Sequence, residues 1–344
     1  MNTIEKYIKS QSLEIYRQIG IRKIIYLDTN FWITLLDQKD ELAKLFYEKI
    51  DKLFETGKCI FPVSEIVIAE ICKQSDIAGK YRNTQIIDKF SCGFAVVIET
   101  ERRKIEFKNW LQKKIGIEKF ELKELIWSKV SFAKLGYSLP KLFDNTLLQK
   151  QVELQILEYV EHSSLLDVEM GNSHVFKYNP NPKILNDEIQ KHSHEHKTFR
   201  DLVLAEILGI LQEQKSTFAN TVIDDPLIEK NYLTAFIKNG ISKGDYYLET
   251  VFKHFHENHM VNDLPVFHVV PVLFAQIRFK NIKYKGGNDT LDFLHASVAL
   301  PYCDYFFTDR KLYLRIKETE LDKKYNCIVE HDLKKAIELL DLIQ

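Results

Sequence analysis

The sequence predicts an α/β fold with a mainly parallel sheet, interrupted by a long all-helical segment. Three observations predict it. Short apolar runs alternate with helical patterns near both ends of the chain, the signature of strands joined by helical crossovers. From about residue 105 to 283 the patterned stretches all carry helical period. An apolar fraction of 45% over 344 residues supplies core for one large domain or two ordinary ones.

Residues 3–19 read as an amphipathic helix. "KIIYL" (23–27) is a strand, too short before the next polar group to be a helix of its own. Two helices follow, the second with Leu42, Leu45, Phe46, Ile50, Leu53 and Phe54 on one face and Gly57 ending it. "CIFPV" (59–63) is a second strand, and Ser64 is placed to cap the helix "EIVIAEICKQ". "GFAVVIE" (93–99) is a third strand. The helical stretch includes "ELKELIWSKVSFAKL", "LLQKQVELQILEYVEHSSLL", "FRDLVLAEILGILQEQ", "IEKNYLTAFIKNG" and "DYYLETVFKHFHENHM", separated by proline-containing breaks. After "KGG" (285–287) the alternation returns: a helix "TLDFLHASVAL", a strand in "CDYFFTD", a mixed segment, a strand "NCIVE" and a closing helix. The partition expected is an N-terminal helix at 1–21, an α/β domain made of 22–110 and 284–344, and a helical insertion at 111–283.

Composition excludes several classes. A net charge of −1 gives no global pull toward polyanions or membranes, so a nucleic-acid site must be a local patch. Five scattered cysteines without a C-x-x-C pair suit reduced thiols. The start lacks the apolar stretch of a signal peptide, and the apolar tract "VFHVVPVLFA" is too short to span a bilayer. A soluble cytoplasmic protein with no membrane partner is expected. Phosphate-loop, dinucleotide and serine-hydrolase signatures are absent from the sequence.

Four acids stand out by their neighbours. Asp28 ends the first strand, Glu70 sits amid apolar residues in "SEIVIAE", Asp292 opens "DFLHASVAL" and Asp309 closes "YFFTD". In an open parallel sheet, functional groups gather beyond the carboxyl ends of strands. Carboxylates crowded there repel, and a divalent cation with hard oxygen ligands, Mg2+ or Mn2+, resolves the conflict. Each acid also has a plainer role open to it: Asp28 or Thr29 as a helix cap, Glu70 as a solvated acid, Asp292 as a helix N-terminal acid, Asp309 as a turn former.

In order along the chain, "YLDTN", "SEIVIAE", "NDTLDFLHASVAL" and "YFFTD" resemble the motifs of PIN-domain ribonucleases, over roughly residues 22–110 and 284–344. The resemblance implies a three-layer α/β/α sandwich and a Mg2+- or Mn2+-dependent phosphodiesterase site, with Asp28, Glu70, Asp292 and Asp309 as metal ligands and catalytic residues. Thr29, Asn30 and Thr308 become supporting or water-positioning residues. The family commonly spaces its last motif Thr–x–Asp, whereas Thr308 and Asp309 are adjacent, and Asp289 competes with Asp292 from about one helical turn away. The helical segment is longer than the matching connection in small toxin-type members.

"HSHEH" (192–196), with His174, is read as a solvated tract, because alternate histidines do not share a helix face. His295 is read as a packed histidine or a single hydrogen-bond donor. The tract 102–129 mixes nine Lys/Arg with Phe107, Trp110, Phe120 and Trp127, and suits either a nucleic-acid groove or a charged helix face with its rings in the core. In "RFKNIKYKGG", Arg278, Lys280, Lys283 and Lys285 are the candidate RNA contacts. The expected function is a metal-dependent endoribonuclease acting on single-stranded or structured RNA, with a homodimer or a cognate protein partner left open. The alternative is a nucleic-acid-binding or protein-docking module on an inactive fold of the same kind. A haloacid-dehalogenase-type phosphatase is disfavoured, because Asn30 stands where that chemistry needs a second Asp.

Overall fold

The computed structural model describes residues 3–71, 77–117, 119–137, 144–165, 183, 186–187, 198–223, 228, 230, 242–257, 263–283 and 288–343. The chain is mostly helical around a small sheet. Its first part runs α1 (Thr3–Ile19), β1 (Lys23–Leu27), α2 (Thr29–Asp37), α3 (Glu41–Glu55), β2 (Cys59–Ile60), α4 (Glu65–Ile71), α5 (Ile77–Ser91), β3 (Phe94–Val96) and α6 (Glu99–Lys114). Then come β4 (Trp127–Lys129), α7 (Val130–Leu135), α8 (Thr146–Glu161), α9 (Phe199–Glu213), α10 (Lys215–Ile223), α11 (Lys243–Glu257) and α12 (Val266–Phe279). The last part is α13 (Asn288–Tyr302), β5 (Tyr305–Phe307), α14 (Arg310–Glu318), α15 (Leu321–Tyr325), β6 (Ile328–Glu330) and α16 (Leu333–Asp341).

The sheet is parallel and four-stranded, in the order β2-β1-β5-β6. The two sequence segments read as α/β therefore share one sheet. β1 lies at the join, with Ile25, Tyr26 and Leu27 opposite Tyr305, Phe306 and Phe307. Those β1 residues are fully buried, as a strand covered on both faces requires.

Two expectations are corrected. β3 does not continue the parallel ladder as a full strand. It touches β2's extension through a single parallel bridge, Val63–Ala95, and pairs antiparallel with β4. β4 itself lies in the stretch expected to be helical. "ELKELIWSKVSFAKL" is not one helix but a tight turn at Leu122–Glu124, a strand and the short α7. Ile126 and Trp127 are fully buried, and packing of these β-favouring side chains against α1 and β3 overrides the helical pattern.

The boundary at 110/111 is corrected as well, because it cuts through α6. Phe107, Trp110 and Leu111 of α6 join Ile207, Leu211, Phe218, Tyr247, Val251 and Phe255 in a second core. Conversely, Val269, Val270 and Leu273 of α12 belong to the core of the sheet. Glu106 ties the two together. Its carboxyl accepts from the Val266 N–H at 2.9 Å and from the Tyr302 hydroxyl, and burial pushes its pKa up to about 7. With Phe107, Trp110 and Trp127 in the cores, the 102–129 tract offers no row of exposed rings for stacking on bases.

Where α10 meets α11 the helices approach closely. A Cβ on Gly244 would stand 2.8 Å from the Lys215 carbonyl oxygen. Gly244→Ala is therefore expected to lower the melting temperature, at a cost of about 1–3 kcal/mol, although alanine usually strengthens a helix. A thermal melt checks this; a rise would show that the two helices separate freely.

The described cysteines, Cys59, Cys92, Cys303 and Cys327, are free thiols. Among the described residues no helix is long and apolar enough to cross a membrane.

Candidate active site

Asp28 leaves β1 in extended conformation and does two things at once. One carboxylate oxygen accepts from the Asn30 and Phe31 N–H groups at 2.9 and 3.1 Å, capping α2. The other accepts from the Asp309 N–H at 2.9 Å, reaching across to the end of β5. The plainer capping role that the sequence left open to Asp28 is present, and the same carboxylate joins the two strand ends. Asp309 in turn caps α14 through the Leu312 N–H at 2.7 Å.

Glu70 comes from the last turn of α4. Its Oε2 accepts from the Thr29 hydroxyl and lies 3.1 Å from His295 Nε2. The other ring nitrogen of His295, Nδ1, is 2.7 Å from the Tyr26 hydroxyl, which is 2.6 Å from Ser64 Oγ. Tyr26 stands two residues before Asp28, on the same strand face. Ser64, read as a capping residue, directs its hydroxyl to Tyr26. Thr34 donates to the Asn30 carbonyl, whereas the Asn30 side chain is exposed.

Asp292 is one turn before His295 on α13. Asp289, one turn earlier, is buried and accepts from Lys311 Nζ and, at 3.4 Å, from Arg315 Nη2, both on α14. Asp289 is thus held in ion pairs with α14. Lys311 is half-exposed and brings a positive charge to the cluster.

The electrostatics record the crowding. Burial pushes the Asp28 carboxyl up, and the Asp309 charge adds to this; His295, Thr308 and the Phe31 N–H favour its charged form. The Thr308 Oγ is buried and lacks a partner of good geometry, so its help to Asp28 comes from approach rather than from a well-aligned bond. Asp292 is raised to about 7, by burial first and then by Asp309 and Asp289, against the pull of His295 and Lys311. Burial lowers the His295 pKa, but the Glu70 hydrogen bond and the charges of Glu70, Asp28 and Asp292 outweigh it and the net shift is upward. Burial holds the Tyr26 phenol well above its usual pKa, so it is a neutral hydroxyl.

Asp28, Glu70, Asp292 and Asp309 are thus connected to one another by hydrogen bonds or by charge, with His295 touching or acting on three of them. The donor set, hard carboxylate oxygens that destabilise one another's charge, suits Mg2+ or Mn2+. Among the described residues no three His, Cys, Asp or Glu side chains are already arranged around a common point as ligands. The reason is local: Asp28 is turned to backbone N–H groups, Asp309 to its helix, and Glu70 to Thr29 and His295.

The basic tract contributes less than its sequence suggests. Arg278 is paired with Glu206 of α9, and Lys280 with Glu318 of α14 at 2.5 Å. Lys283 is exposed. Lys285 lies outside the described residues, as do His174 and "HSHEH". Sequence reasoning missed Lys311, Arg315 and Tyr26 and undervalued His295. The signals were there: a lysine two residues after the last motif acid, and a histidine one turn after Asp292.

Comparison with protein-family models, with curated proteins and with solved structures finds no match to this chain.

Proposed function

We propose that the protein is a metal-dependent endoribonuclease built on a PIN-like α/β/α sandwich. The observation that carries this reading is the pairing of Asp28 with Asp309 at the carboxyl ends of β1 and β5, together with His295, which bonds Glu70 and feels the charges of Asp28 and Asp292. The motif order supports it, and so does the parallel sheet that sets the two strand ends side by side. Asp28, Glu70, Asp292 and Asp309 are the residues that would hold Mg2+ or Mn2+, which would supply positive charge to acidify a neighbouring water and offset charge developing at phosphorus. The chain's own residues do the rest. Backbone N–H groups fix Asp28, Thr29 and His295 fix Glu70, and Lys311 offers a positive charge to the phosphodiester.

The test is cleavage of a single-stranded RNA by the purified chain with Mn2+ and with EDTA. Metal-dependent internal cuts support the reading. RNA bound but left whole would favour an idle fold that binds nucleic acid, and cleavage of DNA alone would change the substrate.

Lys311→Ala is expected to raise KM for single-stranded RNA about five- to tenfold, the equivalent of roughly 1 kcal/mol. It should also reduce the salt dependence of binding by about 0.7 in log–log slope, as loss of one phosphate contact on a single strand does. Titration at several salt concentrations checks this. An unchanged slope would leave Lys311 as Asp289's structural partner only.

A further inference from the structure

We propose that His295 is the positioning residue of the site: it fixes the Glu70 carboxylate, and a buried Tyr26–Ser64 chain fixes His295. The purpose assigned to this chain rests on the nuclease reading.

The geometry is continuous. Ser64 Oγ, Tyr26 OH and His295 Nδ1 follow one another at 2.6 and 2.7 Å, and His295 Nε2 reaches Glu70 Oε2 at 3.1 Å. Ser64, Tyr26 and His295 are buried, so water does not compete for these bonds. Both ring nitrogens are engaged, one on each side. Flipping the imidazole would put carbons where the two bonds are made, so the ring has one orientation. With the proton on Nε2, Tyr26 donates to Nδ1 and Ser64 donates to Tyr26. Every donor then points toward Glu70, which also receives the Thr29 hydroxyl.

The chain joins the segments that must agree for the site to exist. Tyr26 lies on β1, two residues before Asp28. Ser64 opens the turn into α4, which carries Glu70. His295 lies on α13, one turn from Asp292. Glu70 is a long, flexible side chain among repelling carboxylates. Two donors converging on one oxygen hold it in a single rotamer and favour its charged form. Outer hydrogen-bond partners of metal-holding groups typically matter 10–100-fold in metal affinity or activity.

The experiment measures Mn2+ affinity by calorimetry, kcat and KM on single-stranded RNA, and thermal stability in EDTA, for wild type, Tyr26→Phe, His295→Gln and His295→Leu. Tyr26→Phe keeps the ring and removes the hydroxyl. It is expected to weaken Mn2+ binding roughly tenfold and to lower kcat similarly, with KM for RNA within about twofold. His295→Leu should lose up to about 100-fold. His295→Gln, whose amide nitrogen reaches the place of Nε2, should recover most of that loss. Tyr26→Phe and His295→Leu variants that bind Mn2+ as wild type does would overturn the inference, as would a Gln variant no better than Leu. A wild type that binds Mn2+ but cuts no nucleic acid would sink the nuclease reading alone, because the variants would still be judged on affinity. A wild type that binds no Mn2+ would sink both.

Discussion

Asp28→Asn is expected to reduce Mn2+-dependent RNA cleavage by at least about 10²-fold, more than the loss of an outer hydrogen-bond partner costs. The fold should survive. The asparagine oxygen keeps the α2 cap that Asn30 and Phe31 donate to, and asparagine caps as well as aspartate. The second oxygen is the difficulty. It accepts from the Asp309 N–H, and an amide NH2 there turns donor to donor. One buried N–H without a partner costs about 1–3 kcal/mol. Removing a buried charge that repels Asp309 offsets part of it. A melting curve in EDTA beside a cleavage assay separates the two effects. A variant that cuts as fast as wild type would sink the mechanism, and one that fails to fold would return Asp28 to a structural role.

In metal-free protein, Asp292→Asn is expected to flatten the dependence of stability on pH. The Asp292 carboxyl is raised to about 7 in the folded chain, so between its unfolded and folded values the native state binds the proton more tightly. Stability from this group is therefore lost as pH rises from about 4 to 7, in proportion to about 1.4 kcal/mol per pK unit. Partial solvent contact of the side chain reduces that sum. His295, also raised, adds stability below its unfolded value that is lost as pH rises further; the variant keeps the part owed to Glu70 and Asp28 and loses the part owed to Asp292. Urea midpoints at pH 5 and pH 8 in EDTA provide the check. The variant should match wild type at pH 5 and exceed it at pH 8. Added Mn2+ should reverse the order at pH 8, because only wild type gains fully from binding. An Asn variant that keeps the wild-type pH profile would show that Asp292 does not carry the strain.

The strands at 23–27 and around 305 and 328 were legible because their apolar runs are short and end sharply. The acids stood out because each sits at a strand end or inside or beside an apolar run, and at two of them, Asp28 and Asp309, the structure also shows the helix cap such a position allows. What escaped depends on partners distant in sequence. Nothing near Trp127 announces that Phe94–Val96 will pair with it, so "LIWSKV" read by its own period looks helical. Nothing near residue 278 announces Glu206, and nothing near 280 announces Glu318, so the tract looked more strongly basic than it is. Nothing near Asp289 announces Lys311 and Arg315, its ion-pair partners from α14. His295 was undervalued for the same reason: Tyr26 and Glu70 become its neighbours only after folding.

β1 sits between a strand that follows it closely and one from near the other end of the chain, and this sets the timing of synthesis. Asp28 and its partner Asp309 are 281 residues apart. At roughly 5–20 residues per second, a ribosome takes about 15–60 s to travel between them. Between the addition of residue 70 and that of residue 292 the nascent chain holds Asp28 and Glu70 but neither of the other two acids, and the β5 side of β1 lies open. A message broken between codons 70 and 292 yields a product with half the carboxylates and no His295. A partly translated chain that ends before residue 309 therefore lacks the complete set of proposed ligands.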